Sequence, residues 1–131
     1  MKKNGILNRD INEVLGKLGH TDMILIADLG LPIPEHVKCV DLTLKQGDPR
    51  FLDVLNVITD EMVIEKFYVS KDISEMNRDI ETAIQKLLAD IPSEYMKHED
   101  FKKLSKDVKL IIRTGENTPY ANIILQSACL F

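Results

Sequence analysis

The sequence predicts an α/β protein, a layered α/β/α sandwich with a largely parallel sheet. Three observations carry this. Short β-branched runs alternate with longer segments of helical periodicity along the whole chain. The run Met23-Ile24-Leu25-Ile26-Ala27 is apolar without alternation, the pattern of a strand covered on both faces. No repeat, low-complexity stretch or linker interrupts the 131 residues, which fit one domain.

Each element follows in order. Asn8 is placed to cap a helix running to about Leu18, because Ile11, Val14, Leu15 and Leu18 share one helical face. Gly19 suits the C′ position that ends it. Residues 23–27 form the first strand, and Gly30-Leu31-Pro32-Ile33-Pro34 then takes an extended, non-helical path. Lys38–Leu42 reads as a short strand. Asp48 as N-cap and Pro49 at the first helical position open a helix over about Arg50–Glu61, with Phe51, Val54, Leu55 and Ile58 inward. Val63–Val69 is a third strand. Ser74 is the expected cap of a helix to about Ala89, with Pro92 beyond it. Ser93–Met96 reads as a short strand and His98–Leu104 as a short helix. Val108–Ile112 is β-branched, residues 113–120 form a loop broken by Gly115 and Pro119, and Ala121–Phe131 closes the chain as an apolar strand or two strand segments. Such an apolar end either pairs inside the sheet or also helps to form a subunit interface.

Composition narrows the function. The net charge of −4 and a pI near 5.4 argue against a nucleic-acid partner, which needs a basic patch. No apolar run approaches the about 18 residues of a membrane span. The opening MKKNGILN lacks the apolar region of a signal peptide. Cys39 and Cys129 show no metal-type spacing and are expected as reduced thiols, so a cytoplasmic location is expected. His20, His36 and His98 lie far apart, and no phosphate loop, GxGxxG or GxSxG is present. Acid–base and hydrogen-bonding chemistry remain.

His20 stands in the turn between the first helix and first strand. An imidazole gives or takes a proton near neutral pH, although the same position suits a surface histidine at a helix end. Asp28, just after the strand, can anchor a hydroxyl or simply close an Asx turn. His98 opens a helix that otherwise reads as solvated, and Lys102 lies one turn on. Tyr120 and Asn122 alternate across Ala121, so an extended segment would put phenol and carboxamide on one side, as hydroxyl ligands or as strand-edge groups.

The blocks GHTDMILIADLGLPIP at 19–34 and RTGENTPYANIILQ at 113–126, with KNGILN at 3–8 and HEDFK at 98–102, resemble the sugar mutarotase family, which includes D-ribose pyranases and L-fucose mutarotases. The resemblance covers essentially the whole chain, and Gly30–Pro34 resembles the ribose branch. It implies interconversion of the β-pyranose and β-furanose forms of D-ribose, without cofactor or metal. It also implies a ring-shaped cytoplasmic oligomer, a decamer of two stacked pentamers, with sites near subunit boundaries. Position by position, His20 matches the family's proton donor, and Asp28, His98, Tyr120 and Asn122 match its sugar-binding positions, with Lys102 a weaker match. An L-fucose-type mutarotase and a non-catalytic sugar-binding accessory protein are the alternatives.

Overall fold

The computed structural model describes residues 1–131. Its central element is a six-stranded sheet ordered β2-β5-β1-β6-β3-β4. The strands are β1 (Met23–Ala27), β2 (Cys39–Asp41), β3 (Ile64–Ser70), β4 (Ser93–Met96), β5 (Leu110–Arg113) and β6 (Ile123–Ser127). The helices are α1 (Arg9–Lys17), α2 (Phe51–Glu61), α3 (Ile73–Met76), α4 (Arg78–Leu87) and α5 (His98–Leu104). The sheet is mixed but mostly parallel: β6 is antiparallel to both its neighbours, β1 and β3, while the other pairings are parallel.

β1 lies between β5 and β6, and its side chains alternate between two cores. Ile24 and Ile26 pack under α1, α2 and α4, together with Phe51, Leu55, Ile58 and Ile84. Leu25 and Ala27 face the opposite layer, with Phe101 of α5, Val108, Ile111 and Ile124. Residues 24–27 are therefore fully buried, as their unbroken apolar run requires. Each such Ile or Leu contributes about 1.5–3 kcal/mol through burial. A helix layer on each face gives the sandwich, with the heavier layer formed by α1–α4.

Several boundaries differ from expectation for identifiable reasons. Asn8 caps α1 as expected, its side chain accepting the Ile11 N–H at 3.0 Å. Gly19 occupies the position after the C-cap, but the left-handed residue in this turn is Thr21, with φ 72°. Asp48 does not cap α2. Its backbone is held in a tight turn with Leu44 and Lys45, and α2 starts later, at Phe51. The Phe51 N–H is instead accepted by Glu116 Oε1 at 3.1 Å. Ser74 lies inside α3 and does not cap the long helix. Asn77 breaks the segment, at φ −153° and ψ 63°, and its side chain accepts the Ile80 N–H at the start of α4. The C-terminal strand is shorter than expected: β6 ends at Ser127, and Leu130 and Phe131 are exposed.

Candidate active site

A cleft of about 670 Å³ opens at the carboxyl end of β1. Because β6 runs antiparallel to β1, the residues after Ala27 and those before Ile123 meet at this edge. Ligands of α/β sheets commonly bind outside such strand ends. Asp28, His98, Tyr120 and Asn122 line the cleft together.

Asp28 and Asn122 form the floor. The Asp28 N–H donates to Asn122 Oδ1 at 2.7 Å, and Asn122 Nδ2 donates to Asp28 Oδ2 at 3.0 Å. Asp28 Oδ1 accepts the N–H groups of Gly30 and Leu31 at 3.0 and 2.9 Å, an Asx turn that fixes the entry to the proline segment. Burial pushes the Asp28 carboxyl above its ordinary range, opposed by the Gly30 N–H, the Asn122 amide, the Leu31 N–H and the charge of His98. One Asp28 oxygen thus makes the Asx turn, while the other accepts from Asn122 at the cleft.

His98 and Tyr120 form a wall. The rings meet edge to face with centroids 5.0 Å apart, and His98 also stacks on Phe101 at 6.3 Å. His98 Nδ1 is buried and has no hydrogen-bond partner within the chain. Tyr120, in the loop, does not meet the condition of an extended segment. It is held left-handed, with φ 57°, and this turn delivers its phenol to the cleft beside Asn122.

Sequence reading missed a buried organiser, Glu116. Only 2 % exposed, it also lines the cleft. Besides capping α2, it accepts the Thr118 hydroxyl at 2.8 Å and pairs with Arg50 at 3.4 Å, while its backbone carbonyl accepts the Leu29 N–H at 2.9 Å. Burial pushes its carboxyl up, but donation from Thr118 and Phe51 and the charge of Arg50 outweigh this and hold it below the ordinary range. Gly115 lets this loop dock: a Cβ there would lie 2.5 Å from Asp48 backbone atoms. Asn77 braces the loop, donating to Thr118 Oγ1 and the Pro119 carbonyl, both at 2.8 Å. No motif marks a buried glutamate inside a Gly/Pro loop.

His20 and Lys102 do not line this cleft. His20 precedes β1 and Asp28 follows it, so the two stand at opposite ends of one strand. The rise from Met23 to Asp28 alone is about 17 Å at ~3.3 Å per residue. His20 Nε2 instead pairs with Glu65 Oε2 at 2.8 Å. Lys102 Nζ pairs with Glu99 at 2.8 Å on the outer face of α5. No group of three or more His, Cys, Asp or Glu side chains converges to hold a metal ion. A carboxylate, a carboxamide, an imidazole and a phenol on one small cleft suit a polyhydroxylated ligand.

Comparisons with known proteins show the family. The chain is 52% identical to a D-ribose pyranase of Bacillus cytotoxicus over the full length of both, and 48% identical to one of Geobacillus thermodenitrificans over 100% of this chain and 99% of that one. Among solved structures, Bacillus subtilis RbsD complexed with D-ribose superposes with a TM-score of 0.97 at 48% identity, covering all of both chains. The fucose mutarotase of Streptococcus pneumoniae in complex with L-fucose shares the fold, with a TM-score of 0.81 over 95% of each chain at 23% identity. The RbsD / FucU transport protein family matches residues 1–130, and the chain belongs to that family.

Proposed function

We propose that the chain is a D-ribose pyranase, an isomerase that interconverts β-D-ribopyranose and β-D-ribofuranose. The observation that carries this is full-length agreement with the ribose-complexed Bacillus subtilis chain, supported by a cleft lined by side chains able to bond hydroxyl groups. The reaction needs little machinery. The ring C1–O5 bond breaks as O5 gains a proton and the C1 hydroxyl loses one, giving the open aldehyde. The 4-hydroxyl then adds to C1 and the protons return. A positioned acid near neutral pKa contributes typically ~10²–10⁴-fold. Asp28, His98, Tyr120 and Asn122 hold the polyol in one orientation, and His20 supplies the proton to the ring oxygen. Water, His98 or Tyr120 takes the anomeric proton. Lys102 has a supporting place at most, since its ammonium is committed to Glu99 outside the cleft.

The length of β1 supports a site shared between copies, because His20 and the cleft lie at its opposite ends. A His20 that acts on the sugar does so in the cleft of a neighbouring copy. Such a shared site needs a homo-oligomer; the resemblance implies a ring-shaped homodecamer of two pentamers, in the cytoplasm, where the free Cys39 and Cys129 stay reduced. The exposed Leu130 and Phe131 are apolar surface available to such contacts. Magnetisation-exchange NMR on D-ribose and on L-fucose tests the assignment. Acceleration of pyranose–furanose exchange in ribose is expected; acceleration with fucose alone, or binding without acceleration, would overturn it. Light scattering that finds a monomer would remove the shared site.

A further inference from the structure

His20 ends a polarised chain of hydrogen bonds that the reaction as described does not use. The Tyr68 hydroxyl donates to Gln126 Oε1 at 2.7 Å. Gln126 Nε2 donates to Glu65 Oε1 at 2.7 Å. The other carboxylate oxygen, Oε2, lies 2.8 Å from His20 Nε2. Every link has one direction. An ionised carboxylate only accepts, so the Gln126 amide must turn its nitrogen to Glu65 and its oxygen to Tyr68. By the same rule His20 Nε2 carries the hydrogen it shares with Glu65. Donation from Gln126, then from His20, holds the Glu65 carboxyl below its ordinary range and so keeps it ionised.

The backbone is shaped for this contact. Where β3 pairs with β6, Ile64 stands opposite Ser127 and Lys66 opposite Gln126, so Glu65 is an extra residue in the ladder. Such a bulge re-aims a side chain at the expense of regular pairing. Here it brings the Glu65 carboxylate to Gln126, which stands opposite Lys66, and to His20 beyond. An exposed ion pair contributes little to stability, so stability alone does not account for the irregularity. His20 itself is half exposed, and its Nδ1 has no hydrogen-bond partner within the chain.

We propose that Glu65 is the positioning residue for His20: it holds the ring by Nε2–H and leaves Nδ1 as the atom that gives the proton to the sugar ring oxygen. This rests on the reading of His20 as the acid. The imidazolium donates from Nδ1 to O5 and becomes the neutral Nε2–H tautomer, with its Glu65 bond unbroken throughout. The anomeric proton leaves to its separate acceptor, so the protons balance. Without Glu65 the ring is free to rotate and to adopt the other tautomer, which presents the wrong nitrogen.

Glu65→Gln tests this, because the near-isosteric carboxamide can turn its NH₂ toward His20 and reverse the hydrogen bond. In wild-type protein, two-bond ¹H–¹⁵N spectra of the neutral ring are expected to show the Nε2–H tautomer. In E65Q the Nδ1–H form is expected to appear. The kcat for ribose ring exchange should fall about 10–100-fold, the range for outer partners of working groups, with KM nearly unchanged. Glu65→Asp, which keeps the carboxylate, should recover part of the loss. Full kcat in E65Q, or an Nδ1–H tautomer in the wild type, would overturn the proposal. Wild-type protein without ribose exchange would instead sink the assigned reaction, and the two tautomer spectra would still decide whether Glu65 holds the ring.

Discussion

Asp28 and Asn122 bind each other twice, backbone N–H to carboxamide oxygen and carboxamide nitrogen to carboxylate, at 2.7 and 3.0 Å. The pair joins the exit of β1 to the entry of β6. Each residue orients the other, so the floor of the cleft is set before any ligand arrives, by groups that have already lost their rotamer freedom.

Asn122→Ala leaves the Asp28 N–H and one carboxylate oxygen without their partners in a half-buried place. Stability should fall by about 1–3 kcal/mol, the usual cost of orphaning a buried polar group. KM for ribose should rise roughly tenfold or more, since ~1.4 kcal/mol is tenfold in binding. Urea melts and NMR exchange at several sugar concentrations read both effects. Unchanged KM would remove Asn122 from the sugar site.

Asp28→Asn tests the raised carboxyl. A carboxyl whose folded pKa lies above its unfolded value favours the fold most below the unfolded value, and that contribution is lost as pH rises through the folded one. The stability curve of the wild type should therefore decline relative to D28N from the ordinary carboxylate range upward. Thermal melts from pH 4 to 7, on a scale set by ordinary Asp values near ~3.9, are the measurement.

Glu116 gives the opposite sign. Its folded pKa lies below the ordinary value, so its contribution is present above the unfolded pKa and is lost as pH falls through the folded one. Glu116→Gln should flatten the acid side of the stability curve below about pH 4.3, the ordinary Glu value. Glu116→Ala should cost about 3 kcal/mol at pH 7, because the Phe51 N–H and Thr118 hydroxyl lose their acceptor.

His20→Ala should keep the fold, since the ring is half exposed, and lose about 10²–10⁴-fold of ribose exchange. Co-refolding H20A with N122A should restore part of the activity, because some clefts then combine an intact His20 with an intact Asn122. Exchange NMR on the mixture checks it; no recovery would place the acid and the sugar anchors in one chain and contradict the separation along β1.

Asn77→Ala removes the cap of α4 and the two donations to Thr118 and Pro119. A loss of about 1–2 kcal/mol is expected from the cap alone. Faster amide exchange in residues 118–122 should accompany it, with a higher KM for ribose.

Local patterns determined most of the fold. An unbroken apolar run at 23–27, the spacing of Ile11, Val14 and Leu15, and β-branched residues at 108–112 each dictate an element, because periodicity records which faces are buried. The candidate residues Asp28, His98, Tyr120 and Asn122 were legible through their chemistry and their resemblance to a family. Their convergence was not. It depends on β6 entering the sheet antiparallel beside β1, a pairing between residues about a hundred positions apart. Asp48 and Ser74 carried sound local cap signals that lost to Glu116 and Asn77, because a capping acceptor brought by another segment is invisible to a local rule. The separation of His20 from the cleft, and its attachment to Glu65, Gln126 and Tyr68, arise in the same way: strand rise sets the distance, and strand pairing together with one extra residue in β3 sets the partners.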